Sequence, residues 1–225
     1  MLLAKIHLDP TQLPVDAIAG EPAIDPALLT VENLRARFAR SRLAWEPETP
    51  DESWMSPGFK LRRAAVLVPL VMRPEGLTVL LTLRTDHLSS HAGQIAFPGG
   101  RAEELDSSPI ETALRESEEE IGLHRRHISI VGVLPDYVTG SAYRVAPVVA
   151  LVKPPFELRA DPNEVAEIFE VPLAFLMNGM HHQRLSFELP GGEGKRHFYA
   201  MPYERFFIWG ATAGMLRNLF HYLRA

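Results

Sequence analysis

Three glutamates, Glu116, Glu119 and Glu120, have i, i+3 and i+4 spacing, which places them together on one flank of a helix. Like charges at this spacing destabilise a helix by about 0.2–0.5 kcal/mol per pair, and burial beside an apolar stripe increases the repulsion. A divalent cation removes the conflict, because Mg²⁺ and Mn²⁺ prefer carboxylate oxygens as ligands. The pattern predicts a metal centre, and a solvated acidic helix face is the alternative.

The helix that carries these glutamates has clear signals at both ends. Ser108 is a suitable N-cap, Pro109 fits the first helical position, and Glu111 completes a capping box. Gly122 fits the left-handed residue that commonly ends a helix. We therefore predict a helix from Pro109 to Ile121, with its apolar residues turned toward the core.

The rest of the main domain reads as strands and helices without regular alternation, which favours an α+β fold over a doubly wound sheet. Apolar runs predict strands at 64–72, 77–83, 128–134, 143–152 and 168–171, and a hairpin within 184–201. A closing helix is predicted from Ile208 to Leu223, with Trp209 on its apolar stripe.

The first quarter of the chain has a different composition. Residues 1–28 are rich in Pro, Asp and Ala and predict an irregular arm, after which Thr30 caps a short helix through Leu43. Residues 46–57 have the composition of a linker. We therefore divide the chain into an N-terminal part, residues 1–57, and a main domain with a C-terminal helix, residues 58–225.

Composition excludes several classes of function. The net charge of −5 argues against binding to a nucleic-acid backbone, and the absence of cysteine excludes thiolate catalysis and Cys-based zinc sites. The longest apolar run, Ala64–Met72, contains a proline and is far shorter than the roughly 20 residues that a membrane helix needs. We expect a cytoplasmic protein with a small-molecule substrate and no membrane or nucleic-acid partner. A homodimer through the arm or the edge strands is left open.

The stretch that begins at Gly100, GRAEELDSSPIETALRESEEEIGL, resembles the Nudix box. The residues that match it in place are Arg115-Glu116, Glu119-Glu120, Gly122 and Leu123. Asp106 stands where the first glutamate of the box is expected, one residue farther from Arg115, and Ser117 replaces an aliphatic residue. The chain is identified as a member of the Nudix family. The resemblance implies an α/β/α sandwich around a mixed sheet, with an N-terminal extension.

A second motif upstream is similar to that of the coenzyme A pyrophosphatase branch of the family. Its matching residues are Leu80-Leu81-Thr82, Arg84, Gly93 and Phe97-Pro98-Gly99-Gly100. Thr85 replaces a Ser/Ala position. Ser89 replaces an arginine, and serine lacks the fork with which arginine holds phosphate.

This resemblance implies metal-dependent hydrolysis of coenzyme A or acyl-CoA to adenosine 3′,5′-bisphosphate and 4′-phosphopantetheine. Because of Ser89, another nucleoside diphosphate derivative, such as ADP-ribose or NADH, is an alternative substrate. A Nudix module that senses a nucleotide without catalysis is the alternative from a different class.

The resemblance also implies roles for individual residues in catalysis. The expected ligands of Mg²⁺ or Mn²⁺ are Glu116, Glu119, Glu120 and the Gly99 carbonyl. Arg115 is expected to orient the carboxylates through a salt bridge, for which Asp106 is the candidate partner; a plain surface ion pair is the alternative. Glu164 is the first candidate for the general base, and Glu167 or a glutamate of the helix is the alternative.

Substrate contacts are expected on the segment between the second strand and the acidic helix. Arg84 is the first choice for a substrate phosphate, because it lies between a strand and the glycine loop. His91 and Gln94 match the loop of the family and are expected to line the site. Phe97, Gly99 and Gly100 are expected to shape the turn beside the metal, where glycine permits close approach.

Overall fold

The computed structural model describes residues 9–40, 45–48, 60–88, 91–189 and 194–225. The strands in these ranges are β1 (Val15–Ile18), β2 (Arg62–Arg73), β3 (Gly76–Arg84), β4 (Ile95–Ala96), β5 (Gly99–Arg101), β6 (Ile128–Val133), β7 (Tyr137–Val138), β8 (Tyr143–Val152), β9 (Val165–Pro172), β10 (Gln183–Glu188), β11 (Lys195–Tyr203) and β12 (Phe206–Trp209). The α-helices are α1 (Val31–Phe38), α2 (Pro109–Ile121), α3 (Leu173–Leu176) and α4 (Gly210–Arg224).

The larger sheet is mixed and has the strand order β4-β3-β2-β8-β6. Strands β2 and β8 run parallel from Arg62↔Tyr143 to Val71↔Val152, whereas the other pairs are antiparallel. The apolar residues of β2 and β8 form nearly continuous buried runs. Such runs require cover on both faces of a sheet.

The cover comes from different elements on the two faces. Residues of α2, including Ala113 and Ile121, pack with Ala65 and Leu67 of β2 in one core cluster. A second cluster contains residues of α1, α4 and a smaller antiparallel sheet with the order β1-β10-β11-β12. The predicted α/β/α sandwich around a mixed sheet is confirmed.

The prediction of an irregular arm is wrong for Val15–Ile18, which forms β1 and pairs with β10. These four residues are all exposed and show no alternation, so their strand conformation depends on a partner distant in sequence. Thr30 caps α1 as predicted, but the helix ends at Phe38. Residues 41–44 and 49–59, which include most of the predicted linker, and Ser89 lie outside the described residues.

The C-terminal helix begins two residues later than predicted. Phe206–Trp209 pairs with β11 through Ala200↔Trp209 and Met201↔Ile208, and α4 starts at Gly210. Trp209 is the N-cap residue, with extended backbone. The apolar residues of β12 fit either structure by pattern alone, and pairing with β11 decides between them.

Candidate active site

Helix α2 has the predicted bounds, and its caps explain them. The Ser108 hydroxyl accepts a hydrogen bond from the Glu111 amide at 3.3 Å, and Pro109 occupies the first turn. Gly122 ends the helix with a φ of +68°, a left-handed conformation that glycine adopts without strain. The packing of Ala113 and Ile121 against β2 then decides which face of the helix turns to the sheet.

Arg115 connects four acceptors at the start of the site. Its guanidinium donates to both carboxylate oxygens of Asp106, at 3.1 and 2.9 Å. One terminal nitrogen lies 2.9 Å from Glu116 and 2.9 Å from Glu119. The guanidinium also contacts the Arg101 carbonyl at 3.2 Å. The predicted salt bridge to Asp106 is confirmed, and the inserted residue does not prevent it.

Asp106 is itself fixed by two further donors. Its carboxylate accepts from the Glu103 amide and from the Thr112 hydroxyl, both at 2.9 Å. The Arg115 guanidinium, followed by these bonds, holds the pKa of Asp106 well below its usual range. Thr112 was not among the predicted site residues, although a polar residue on the buried first turn of the helix was a signal for it.

Glu116 lies directly over the glycine turn. A Cβ atom on Gly100 would stand 2.6 Å from the Glu116 carboxylate, so any larger residue there would displace the carboxylate from its present position. Burial raises the pKa of Glu116, opposed by the hydrogen bond and charge of Arg115. Gly99 has a φ of +152°, and a Cβ on it would meet the Ala65 carbonyl at 2.5 Å. The Gly-Gly pair therefore serves close approach, as predicted.

Glu120 is the most buried of the three glutamates, with 3% of its side chain exposed. Its carboxylate accepts from the Gly99 amide at 3.1 Å and lies 3.5 Å from an Arg84 nitrogen. Burial raises its pKa to about 8, although the Gly99 bond and the Arg84 charge oppose the shift. Glu119, in contrast, is 59% exposed. The flank thus runs from a buried carboxylate to a solvent-facing one.

Arg84 and Glu164 face this flank from the sheet. The Thr85 amide donates to the Glu164 carbonyl at 3.0 Å, next to a register shift between β3 and β9, and this bond sets Glu164 beside Arg84. Their side chains are 3.9 Å apart. The negative charge of Glu164 contributes to the raised pKa values of Glu116 and Glu120. Glu164 therefore belongs to the carboxylate cluster.

Glu167 and Arg84 differ in whether their polar atoms already have a partner among the described residues. The Glu167 carboxylate forms an ion pair with Arg205, which leaves it less available as a base than Glu164. The Arg84 Nε is buried and has no hydrogen-bond partner among the described residues. An unpaired buried donor is costly, so this atom has the character of a ligand contact.

The predicted substrate loop folds back on β3. Gln94 accepts the Arg84 amide through its backbone carbonyl at 3.0 Å, and its side-chain oxygen lies 2.8 Å from His91 Nδ1. Phe97 is 2% exposed and belongs to the core. Any contribution of Phe97 to a substrate site therefore comes from the position of its backbone.

The donor set at the site fits a hard divalent cation. Carboxylate oxygens of Glu116 and Glu120 are partly or fully desolvated, which costs free energy unless a positive charge compensates it. Within the described ranges no group of three or more acidic or histidine side chains is already closed into a metal cage. Glu116 and Glu119 both contact Arg115, which accounts for this open arrangement.

No helix in the part of the chain that the structure describes is both long enough and apolar enough to cross a bilayer.

Comparison with known proteins places the sequence in a family. The NUDIX domain model matches residues 61–189. An uncharacterised Nudix hydrolase, NudL from Escherichia coli strain K12, is 39% identical over 193 residues, which cover 85% of this chain and 93% of that protein. Both the box on α2 and the upstream motif fall within the matched range.

Solved structures similar to the chain carry the same family name. A Nudix hydrolase from M. smegmatis, RenU, is 24% identical and covers 51% of this chain and 72% of its own, with a TM-score of 0.43. The NUDIX domain of Shewanella oneidensis NrtR, complexed with ADP ribose, is 21% identical, with 54% and 80% coverage and a TM-score of 0.41.

The acidic helix, the glycine turn and the mixed-sheet sandwich together describe a Nudix domain. The chain belongs to the Nudix hydrolase family.

Proposed function

We propose that this protein is a metal-dependent Nudix hydrolase that splits the diphosphate bond of coenzyme A or an acyl-CoA. The products are adenosine 3′,5′-bisphosphate and 4′-phosphopantetheine. The observation that carries the proposal is the contact of the Glu116 and Glu120 carboxylates with the Gly99-Gly100 turn, beside an arginine, Arg84, whose buried Nε has no hydrogen-bond partner in the described part of the chain. The upstream motif around Arg84 supports the choice of substrate.

The metal would be Mg²⁺ or Mn²⁺, held by Glu116, Glu119 and Glu120, with the Gly99 carbonyl as a further ligand. When bound, the ion supplies charge neutralisation of the diphosphate and acidifies water. Arg115 keeps Glu116 and Glu119 in place through the bonds described above. A single guanidinium anchored on Asp106 thereby restricts two carboxylates at once.

The other residues act on the substrate and the attacking water. Arg84 would donate from Nε to a phosphate oxygen, which satisfies its buried donor. Glu164 would accept the proton of the attacking water; its carboxylate is 45% exposed and lies close to Arg84. His91 and Gln94 would line the entrance beside the phosphate.

The test is a substrate comparison with products identified by mass. With Mg²⁺ or Mn²⁺, we expect coenzyme A to have a kcat/KM at least about tenfold above those of ADP-ribose and NADH, and adenosine 3′,5′-bisphosphate to appear. Comparable or faster turnover of ADP-ribose or NADH would remove the coenzyme A assignment and leave another Nudix specificity. Manganese binding without turnover of any of the three would indicate a nucleotide-sensing module.

Position 89 offers a sharper test of the substrate. Because Ser89 lacks the phosphate fork of arginine, we expect Ser89→Arg to raise the ratio of kcat/KM for coenzyme A to that for ADP-ribose. The matched control is Ser89→Gln, which adds length without charge. An unchanged ratio in Ser89→Arg would reject the idea that residue 89 limits selectivity.

A further inference from the structure

A cavity of about 340 Å³ lies beside the loop that carries Gln94. Its walls come from residues 9–11 of the N-terminal arm, residues 92–95 of the loop, Leu83 of β3, and residues 205–207 and 209 in and just before β12. Small-molecule sites commonly measure about 300–1,000 Å³, so this cavity has room for one part of a ligand. None of the roles assigned above uses its aromatic wall.

The aromatic wall is already ordered. Phe207 and Trp209 line the cavity and are partly exposed, and Trp209 is held edge-on by Phe198 at a ring distance of 5.4 Å. Phe206, which precedes Phe207 in β12, is anchored by stacking on Phe169 at 3.6 Å. Because these rings are already held in place, they lose little conformational entropy when a flat ligand binds against them.

The polar rim offers both donors and an acceptor. Arg205 is fixed by its ion pair with Glu167, and the Asp9 carboxylate is fixed by the Thr11 amide at 3.0 Å and by the Thr11 hydroxyl. The Gln94 side-chain oxygen faces His91, which leaves the amide NH₂ as its donor to the cavity. Asp9 makes the cavity unfavourable for a second phosphate group.

Gln94 joins this cavity to the phosphate site. Its backbone carbonyl accepts the Arg84 amide, and the same residue lines the cavity. Leu83, the neighbour of Arg84, also lines it, but its side chain points to the opposite face of β3 and packs against the core cluster that contains α4. The cavity and the Arg84 side chain therefore lie on either side of the end of β3, and a ligand whose phosphate contacts Arg84 would reach the cavity around that end.

We infer that this cavity binds the nucleobase of the substrate, with the ring against Phe207 and Trp209 and the ring edge against Gln94 and Asp9. A nucleobase has flat faces for the aromatic wall and both donors and acceptors on its edge. The flexible, largely aliphatic phosphopantetheine half matches that wall less well. The inference rests on the proposed function, since it names the half of the diphosphate substrate that enters here. It also gives the N-terminal arm a role in specificity.

The first experiment measures binding and needs no turnover. Adenosine 5′-monophosphate, ribose 5′-phosphate and 4′-phosphopantetheine are titrated against the full chain with Mg²⁺ by saturation-transfer NMR. We expect the adenine H2 and H8 protons to receive the strongest transfer, and Phe207→Leu to weaken the monophosphate about tenfold while leaving ribose 5′-phosphate unchanged. The matched control is Phe187→Leu, a partly exposed ring of β10 in the same sheet that does not line the cavity.

The second experiment is kinetic. With whichever nucleotide diphosphate is hydrolysed, Phe207→Leu should raise KM about tenfold with kcat nearly unchanged. Equal loss of both monophosphate and ribose 5′-phosphate binding, or no loss of either, would overturn the inference. So would weakened phosphopantetheine binding with intact nucleotide binding. A chain that binds the monophosphate as expected but hydrolyses no diphosphate would refute the proposed function and leave the base pocket intact.

Discussion

Arg115 and Asp106 form a two-pronged ion pair, with Nε and one terminal nitrogen 3.1 and 2.9 Å from the two carboxylate oxygens. Asp106 is 7% exposed, so this pair is more than a solvated surface contact. The same guanidinium holds Glu116 and Glu119. Its orientation therefore decides where two of the proposed metal ligands lie.

Replacing Arg115 with lysine tests this positioning role. A single ammonium group cannot span Asp106 and two glutamates, so we expect Arg115→Lys to lower Mn²⁺ affinity and kcat/KM by about 10- to 100-fold. Manganese titration calorimetry and steady-state kinetics measure the two effects. Asp106→Asn should act in the same direction, and Asp106→Glu should restore part of the loss. Wild-type manganese affinity in a folded Arg115→Lys variant would contradict the role.

The helix glutamates provide the test of the metal site itself. We expect Glu119→Gln and Glu120→Gln each to lower kcat by at least about 10²-fold, the scale of a lost electrostatic contribution. The matched control is Glu118→Gln on the same helix, where the carboxylate is 42% exposed and 3.9 Å from His124. That variant should retain activity. Near wild-type rates in both of the first two variants would refute the metal assignment.

Melting temperatures distinguish a glutamate variant that has lost a metal ligand from one whose fold is destabilised. Glu120 is a buried carboxylate, and its ion-pair partner among the described residues, Arg84, is 3.5 Å away, so its charge is poorly compensated without metal. We expect metal-free Glu120→Gln to melt no lower than the wild type, while Mn²⁺ raises the melting temperature of the wild type much more. Thermal scans with EDTA and with Mn²⁺ measure both. A large drop in the metal-free melting temperature of the variant would indicate a structural role instead.

Arg84 should act on the substrate and not on the metal. Its buried Nε lacks a partner among the described residues, and a charge-assisted bond to phosphate contributes about 1.5–3 kcal/mol. We therefore expect Arg84→Gln to raise KM by about 10- to 100-fold with little change in Mn²⁺ affinity. Arg144→Gln is the matched control, since that arginine is 55% exposed on β8. Equal KM values for Arg84→Gln and the control would remove Arg84 from the phosphate site.

Local sequence signals predicted the part of the fold that carries the chemistry. Ser108, Pro109 and Gly122 act within a few residues of themselves, and the helix they bound has the predicted ends. The glycine turn was predicted for the same reason, since a close approach at Gly100 depends on the absence of one atom. The grouping of Glu116 and Glu120 followed from helix periodicity.

Features that depend on distant partners were not predicted. Strand β1 exists because β10 supplies its hydrogen bonds, and β12 exists because β11 does. Neither has a pattern of its own that distinguishes a strand from a coil or a helix start. The place of Glu164 beside Arg84 likewise depends on the pairing of β3 with β9 across a register shift. Sequence spacing alone left Glu167 open as an alternative to Glu164.

A buried network ties the N-terminal arm to the C-terminal helix. His182 is fully buried, with Nε2 2.8 Å from the Leu176 carbonyl and Nδ1 3.1 Å from an Arg217 nitrogen. Arg217, 4% exposed, also pairs with Glu21 of the arm and with Glu48. Burial, with the charge of Arg217 in the same direction, lowers the pKa of His182 to about 4. The hydrogen bond from Arg217 lowers the pKa of Glu21 to about 2.

Both pKa values lie below the unfolded ones, near 6.5 and 4.5, so the unfolded chain binds more protons in acid. The contribution of these two groups to stability is full above about pH 6.5, and it is lost in two steps as the pH falls, between about pH 6.5 and 4 for His182 and between about 4.5 and 2 for Glu21. Glu120, whose pKa is raised to about 8, acts in the opposite direction between about pH 4.5 and 8, equally in each variant compared below. Denaturant unfolding across this range measures the loss. We expect His182→Gln to abolish the upper step, whereas His197→Gln, a more exposed histidine, should keep it; an upper step of equal size in both variants would show that another group causes it.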